Sequence, residues 1–150
     1  MPLDAVAVLD RLKTHLEQTV GVGKVFIGVP EAPADQLVAS ISLAGATLAH
    51  HKQAGGTWQR RLRYRVELAY RVAGNEEAAE RAVGLALDDF LVRILGDIRL
   101  GAPPEAPQSV VEWDLSQADA PEYRVAAGLE ERVYPIVLGV DQVVVFDANQ

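Results

Sequence analysis

A regular alternation of apolar and charged positions runs through residues 57–72, TWQRRLRYRVELAYRV. Successive side chains of a β-strand point to opposite faces of the sheet, so the pattern predicts a strand with one apolar and one arginine-rich face. The apolar positions are Trp58, Leu62, Tyr64, Val66, Leu68, Tyr70 and Val72. The charged positions are Arg61, Arg63, Arg65, Glu67 and Arg71. We call the surface that carries Arg61, Arg63, Arg65 and Arg71 the arginine face.

This predicted strand is long for the size of the chain. At ~3.3 Å per residue it would span roughly 53 Å, against a radius of gyration of about 15 Å for a compact domain of this length. Part of it must therefore project. Two interpretations of the preceding segment remain open. A strand that starts at residue 37 continues to about 53 and turns at residues 54–56, or residues 44–57 form a mobile loop.

Two amphipathic helices are predicted. Residues 3–20 place apolar side chains at three- and four-residue steps, and glycines at 21 and 23 end that helix. Residues 76–98 carry a broad apolar stripe, and Asn75 can cap their first turn. Glu76, Glu77 and Glu80 lie near the start of this second helix, where the helix dipole favours acids.

The remaining pattern predicts further short strands at 24–29, 37–43, 109–115, 123–127, 132–140 and 143–146. A turn is predicted at 128–131 and a break at 139–142, and Pro135 indicates an edge position or a bulge. Strands and helices do not alternate strictly. The order therefore predicts one α+β domain over residues 1–150, with a mainly antiparallel or mixed sheet. An N-terminal helix and one long central helix would pack on this sheet, from which a long hairpin or loop projects.

Composition narrows the possible partners. The net charge is −7, whereas nucleic-acid-binding proteins are usually basic, so we expect no specific nucleic-acid binding. No apolar run approaches the ~20 residues of a membrane span, and the charged N-terminal segment is unlike a signal peptide, so we expect a soluble protein. Cysteine is absent, which excludes disulfides and thiolate metal sites.

No set of residues specifies a reaction. His50 and His51 are adjacent and would point to opposite faces of a strand, which disfavours a shared metal ion. Asp88 and Asp89 have no histidine or nucleophile at a useful spacing, so solvated helix surface is the simpler interpretation. We therefore expect no enzyme activity and no catalytic, cofactor-binding or metal-binding residues.

The arginine face is the strongest candidate for a function. It is either the solvated outer face of a sheet or a contact surface between subunits, since arginine is enriched in protein interfaces. Carboxylates of another copy could pair with it, and the candidates are Glu76, Glu77, Glu80, Asp88, Asp89, Glu130 and Glu131. A basic patch that meets an acidic patch elsewhere on the same molecule forms a head-to-tail contact, and such contacts close into rings.

The order and length of these elements resemble the tail terminator (tail completion) proteins of long-tailed bacteriophages. The most specific part is 57–98, where RLRYRVELAYRV is followed by NEEAAERAVGLALDDFLVRIL. The later segments VVEWDL and EYRVAAGLEERVYPIVLGV also fit the closing strands of that family. Proteins of that family are small α+β proteins that assemble as hexameric rings, cap the tail tube, end its polymerisation and provide the surface for head docking.

The resemblance implies a structural virion protein at the head–tail junction, assembled in the host cytoplasm. Its implied partners are other copies of itself, the tail tube protein and a head connector or neck protein. It also implies a tube-facing loop near 44–57, with His50, His51, Lys52 and Gln53. Three alternatives remain: another head–tail connector or neck protein, a cytoplasmic dimeric binding module that pairs an exposed strand across a two-fold axis, and a small enzyme with a pocket under the sheet.

Overall fold

The computed structural model describes residues 5–28, 36–50, 57–72, 74, 76–97, 110–116, 121–126 and 128–145. Two helices and six strands lie in these ranges. In chain order they are α1 (Ala5–Gln18), β1 (Val22–Ile27), β2 (Leu37–His50), β3 (Thr57–Arg71), α2 (Glu76–Leu95), β4 (Val110–Ser116), β5 (Glu122–Ala126) and β6 (Leu129–Val145). The element order agrees with the order that the sequence predicts, apart from the end of the chain.

The six strands form one mixed sheet in the order β1-β2-β3-β6-β4, and β5 also pairs with β6. β1 is parallel to β2, and the other pairs are antiparallel. The predicted α+β fold, with an N-terminal helix and a long central helix, is confirmed. β3 and β6 are the centre of the sheet because they pair along almost their whole lengths.

The core lies between the helices and one face of the sheet. The even-numbered residues of β3 supply that face, as the alternation predicts, and Leu62, Tyr64, Val66, Leu68 and Tyr70 are all buried. They pack in one cluster with Val8, Leu12 and Leu16 of α1 and with Val83, Ala86, Phe90 and Ile94 of α2. The buried hydroxyl of Tyr64 donates a 2.9 Å hydrogen bond to the carbonyl oxygen of Ala5, which satisfies its polar end.

β2 continues to His50, where it pairs with Trp58 of β3, so the hairpin interpretation is correct as far as His50. His51, Lys52 and Gln53 lie outside the described residues. The β3–β6 ladder continues past Leu62 and Val140 to Thr57 and Val145. The end of the hairpin is thus joined by β6, and around Trp58 and Gln59 we call β2, β3 and β6 the three-stranded ribbon.

Two predictions about the last strands are wrong. No break occurs at 139–142, because Gly139 stays paired with Arg63 of β3 on one side and Asp114 of β4 on the other. The predicted turn at 128–131 reduces to Gly128, whose φ of 76° suits glycine, and the strand starts at Leu129. A continuous partner strand on β3 thus overrides the local turn signals.

Pro135 occupies a position of β6 at which no backbone N–H is needed for pairing with β3. Val72 N donates to Glu130 O, and hydrogen-bonded pairs alternate along an antiparallel ladder, so residue 135 directs its backbone away from β3. On that outer side β5 pairs with β6 up to Val133, and β4 pairs with it from Val137. Pro135 lies between these two ladders. Among the described strands, β6 therefore has no outer partner at the buried Pro135, although it is otherwise a central strand.

Candidate assembly surface

The arginine face lies on the side of the sheet opposite both described helices, because the odd-numbered residues of β3 point away from the core. It is not a row of isolated cations. Acidic side chains share the face with the arginines, among them Glu67 of β3 and Glu131 and Asp141 of β6. Two of these acids, Glu131 and Asp141, are only 3% and 2% exposed.

Arg61 and Asp141 form a cross-strand pair in direct register. Arg61 Nε lies 2.5 Å from Asp141 Oδ1, and Nη2 lies 2.6 Å from Oδ2. This two-pronged geometry is the strongest arrangement of a guanidinium and a carboxylate, and it compensates the buried charge of Asp141. Arg61 therefore fixes one end of β6 to β3 within its own subunit.

A second group of ion pairs joins three strands at the other end of the face. Glu67 accepts from Arg65 Nε at 2.9 Å and lies 3.1 Å from Arg124 of β5, which itself donates to Glu131 at 2.7 Å. Burial lowers the pKa of the Arg124 guanidinium, but Glu131 and Glu67 outweigh it and raise that pKa above its usual value. Arg65 is thus also engaged within the subunit.

Arg63 differs from these residues. Its side chain is exposed and makes no ion pair with any residue that the structure describes. Its cross-strand neighbours are Gly45 of β2 and Gly139 of β6, so no side chain flanks it directly on either side. Arg71 is exposed as well and lies opposite Glu131 in the ladder. Arg63 and Arg71 are thus the two predicted interface arginines whose side chains are exposed, and Arg63 has no ion-pair partner among the described residues.

The predicted acids lie on the helix side of the sheet. Glu80 accepts a hydrogen bond from Tyr70 and another from Tyr134, and it lies 3.7 Å from Arg132. Burial and the nearby Glu80 carboxylate raise the pKa of Tyr70 to about 12. Glu76 and Glu77 are exposed in the first turn of α2, and Glu77 pairs with Arg81 at 3.1 Å. The predicted interface arginines and the predicted interface acids are therefore on opposite sides of one subunit.

Asp141 and Arg124 were not predicted as partners of the arginine face. Glu131, predicted to meet that face from another copy, pairs with Arg124 within its own subunit. The signal for Asp141 is its position as a lone charge in the apolar run VLGVDQVVV, where a buried strand requires a charge partner. The contact between Arg132 and the ring of Tyr123 was not predicted either. The centroid of that ring lies 4.4 Å from the guanidinium carbon.

A histidine–carboxylate contact occurs elsewhere, between α1 and the residue pair that follows α2. His15 Nε2 lies 2.6 Å from Asp97 Oδ2, which also accepts a 2.6 Å hydrogen bond from Arg11 Nε. This cluster ties the two helices together. Among the described residues, no group of three histidine or acidic side chains could hold a metal ion.

Neither described helix combines the length and apolarity needed to cross a membrane. No protein-family model matches the chain, and no curated protein sequence matches it.

Proposed function

We propose that this chain is a structural virion protein that forms a head-to-tail ring, caps the tail tube of a long-tailed bacteriophage, ends its polymerisation and presents the head-docking surface. The observation that carries the proposal is the separation of charge across one sheet. An exposed arginine lies on one side, and exposed acids at the start of α2 lie on the other. Such a subunit offers two complementary surfaces that cannot satisfy each other, which favours a heterologous contact.

The arrangement of elements supports the same proposal. The arginine-bearing β3 is followed directly by an acid-started helix, as in the tail terminator proteins that the sequence resembles. The three-stranded ribbon fits the expected tube-facing element, with His50 at the described end of β2. A neighbouring neck protein of the same junction would use a similar ring contact.

Native mass spectrometry and sedimentation of the purified chain test the ring. We expect a closed assembly of several subunits, hexameric by the resemblance, whose abundance rises with protein concentration. A monomer at all concentrations and salt conditions would overturn the proposal. Addition of the ring to polymerising tail tube protein should then limit tube length, as measured by electron microscopy.

Arg63→Glu is the sharpest single variant for this contact. The side chain is exposed and makes no ion pair with a described residue, so the subunit should fold normally while the ring is lost. Lys24→Glu provides a matched control, because it reverses an exposed charge on β1 at the edge of the sheet. Rings that persist in Arg63→Glu would show that the arginine face is solvated surface.

A two-subunit binding module is the second candidate. β5 pairs only with β6 among the described strands, and it exposes Tyr123 (54%) and Val125 (72%). An exposed antiparallel edge can pair with its own copy across a two-fold axis. A mass of two subunits that Val125→Glu reduces to one would favour this function over the ring.

A further inference from the structure

α2 has a second apolar side that faces away from the core. Its core side consists of Val83, Ala86, Phe90 and Ile94. Leu85, Val92 and Leu95 lie on the opposite side of the helix and are 65%, 66% and 66% exposed. Residues seven positions apart lie on the same side of a helix, as do residues three apart, so these three form one line. We call this line the outer stripe.

Gly84 lies beside the outer stripe, in the middle of α2. A glycine inside a helix is unfavourable compared with alanine, and a Cβ added here would meet nothing within 4 Å. The described residues of the subunit therefore give no steric reason for this glycine. A close approach by another chain would supply one, since the missing side chain lowers the helix surface next to Leu85.

Charges of both signs lie next to the outer stripe. Arg81, one turn before Leu85, pairs with Glu77 at 3.1 Å. Asp88 is exposed between Leu85 and Val92 and makes no hydrogen bond or ion pair with the described residues. Asp89 is not available in the same way, because it accepts hydrogen bonds from Val20 N at 2.8 Å and from Arg93 at 3.1 Å. Glu80 and Glu131 are engaged with their own subunit. Asp88 is thus the acid best placed to meet a cation from outside.

The exposed Arg63 complements this surface. It lies on the opposite side of the sheet from α2, between Gly45 and Gly139 on the neighbouring strands. A helix can approach the sheet closely over Gly45, which is half-buried and carries no side chain, whereas Gly139 is buried. The two surfaces of one copy point in opposite directions, so they cannot meet each other. The outer stripe can therefore pack on an arginine face only if that face belongs to another copy.

We propose that the outer stripe of α2 packs on the arginine face of the next copy of this chain, with Asp88 beside Arg63. The inference rests on the ring proposed above. It identifies the surface that meets the arginine face as the outer stripe of α2 with Asp88. Glu76, Glu77 and Glu80 at the helix start are then outside the centre of the contact.

A mixing experiment tests this pairing. Val92→Glu and Arg63→Glu each alter one exposed side chain, so both subunits should fold and each alone should be monomeric. Mixed in equal amounts, they should form a heterodimer that grows no further, because one unaltered stripe meets one unaltered arginine face. Val6→Glu is the control for Val92→Glu, since Val6 of α1 is exposed to the same degree, 64%. The control should still form rings.

Three outcomes would overturn the inference. Rings in Val92→Glu would remove the outer stripe from the contact while the ring function stands. A mixture that stays monomeric would show that the two surfaces do not meet. Dimers in Arg63→Glu alone would show that the stripe pairs with itself. Failure of the unaltered chain to assemble would instead overturn the proposed function.

Gly84→Trp gives an independent readout. The added ring has open space in the subunit, so the melting temperature of the monomer should not fall. The ring contact should weaken by at least about tenfold, because the indole would separate the two surfaces. Unchanged assembly with an unchanged melting temperature would contradict the close approach at Gly84.

Discussion

At the scale of single residues, the arginine face has two kinds of arginine. Arg61 holds a carboxylate that is 2% exposed, whereas Arg63 is exposed and makes no ion pair with the described residues. A single stripe of alternating arginines therefore combines internal support with an accessible contact. Substituting all of these residues at once would mix the two effects, so they need to be tested singly.

Arg61→Met should destabilise the fold by about 2 to 3 kcal/mol, because it leaves the Asp141 carboxylate buried without its bidentate partner. Arg81→Met is the matched comparison. Arg81 and Glu77 are 77% and 84% exposed, and their pair should contribute no more than about 0.5 kcal/mol. Urea denaturation measures both variants, and equal losses would contradict the distinction.

The Asp97 cluster predicts a pH dependence. Burial of this carboxylate favours its neutral form, but hydrogen bonds from Arg11 and His15 outweigh that effect and hold the pKa of Asp97 below its usual value. A lowered native pKa adds stability above the unfolded pKa of about 3.9, and this stability is lost as the pH falls through the native pKa.

Asp97→Asn should therefore reduce the free energy of unfolding by about 1 kcal/mol at neutral pH. The difference from the unaltered chain should shrink as the pH falls below the unfolded pKa. Urea denaturation over that pH series measures it, with Asp10→Asn on the solvent side of α1 as the control. A difference that stays constant with pH would contradict the assignment.

At the scale of elements, β6 is one strand with two outer partners. β5 pairs with its first part and β4 with its second, and Pro135 falls between them. The proline thus marks a change of neighbour and not the end of a strand. The alternation of hydrogen bonds along β3 explains why the strand tolerates it.

Moving the proline by one residue should strongly destabilise the fold. Ile136 directs its N–H toward β3, so Ile136→Pro should cost more than about 3 kcal/mol. Pro135→Ala should change the stability by no more than about 1 kcal/mol, because the backbone nitrogen of residue 135 faces away from β3. Ile136→Ala separates the loss of the side chain from the loss of the hydrogen bond. Thermal unfolding compares the three variants.

The elements were largely predictable because their signals are local. The two-residue period placed Leu62 to Tyr70 in the core, and three- and four-residue steps placed both helices. The partners of the arginine face were not predictable in this way, because Asp141 is far from Arg61 in the chain. Only the register of β6 brings the two residues together. The false break at 139–142 has the same origin, because Gly139 signals a turn locally and is held in the strand by its neighbours.

At the scale of the whole molecule, β3 and β6 form one long ladder, from Thr57 and Val145 to Arg71 and Glu131. The rows from Leu62 to Tyr70 lie against the core cluster, and the rows from Thr57 to Gln59 form one end of the ladder. Rows packed in the core and rows at the end of a ladder should differ in local stability.

Hydrogen exchange of the separated subunit measures this difference. Amides of β3 between Leu62 and Tyr70 should exchange slowest, close to the rate of global unfolding. Amides between Thr57 and Arg60 should exchange faster through local opening. Uniform protection along β3 would contradict the division between core rows and ribbon rows.

The three-stranded ribbon also has a mechanical consequence. Its hydrogen bonds lie across the strands, so a pull along the ribbon loads many of them in shear at the same moment. A pull across the ribbon would instead open them one at a time from the end. The ribbon should therefore resist a larger force along its strands than across them.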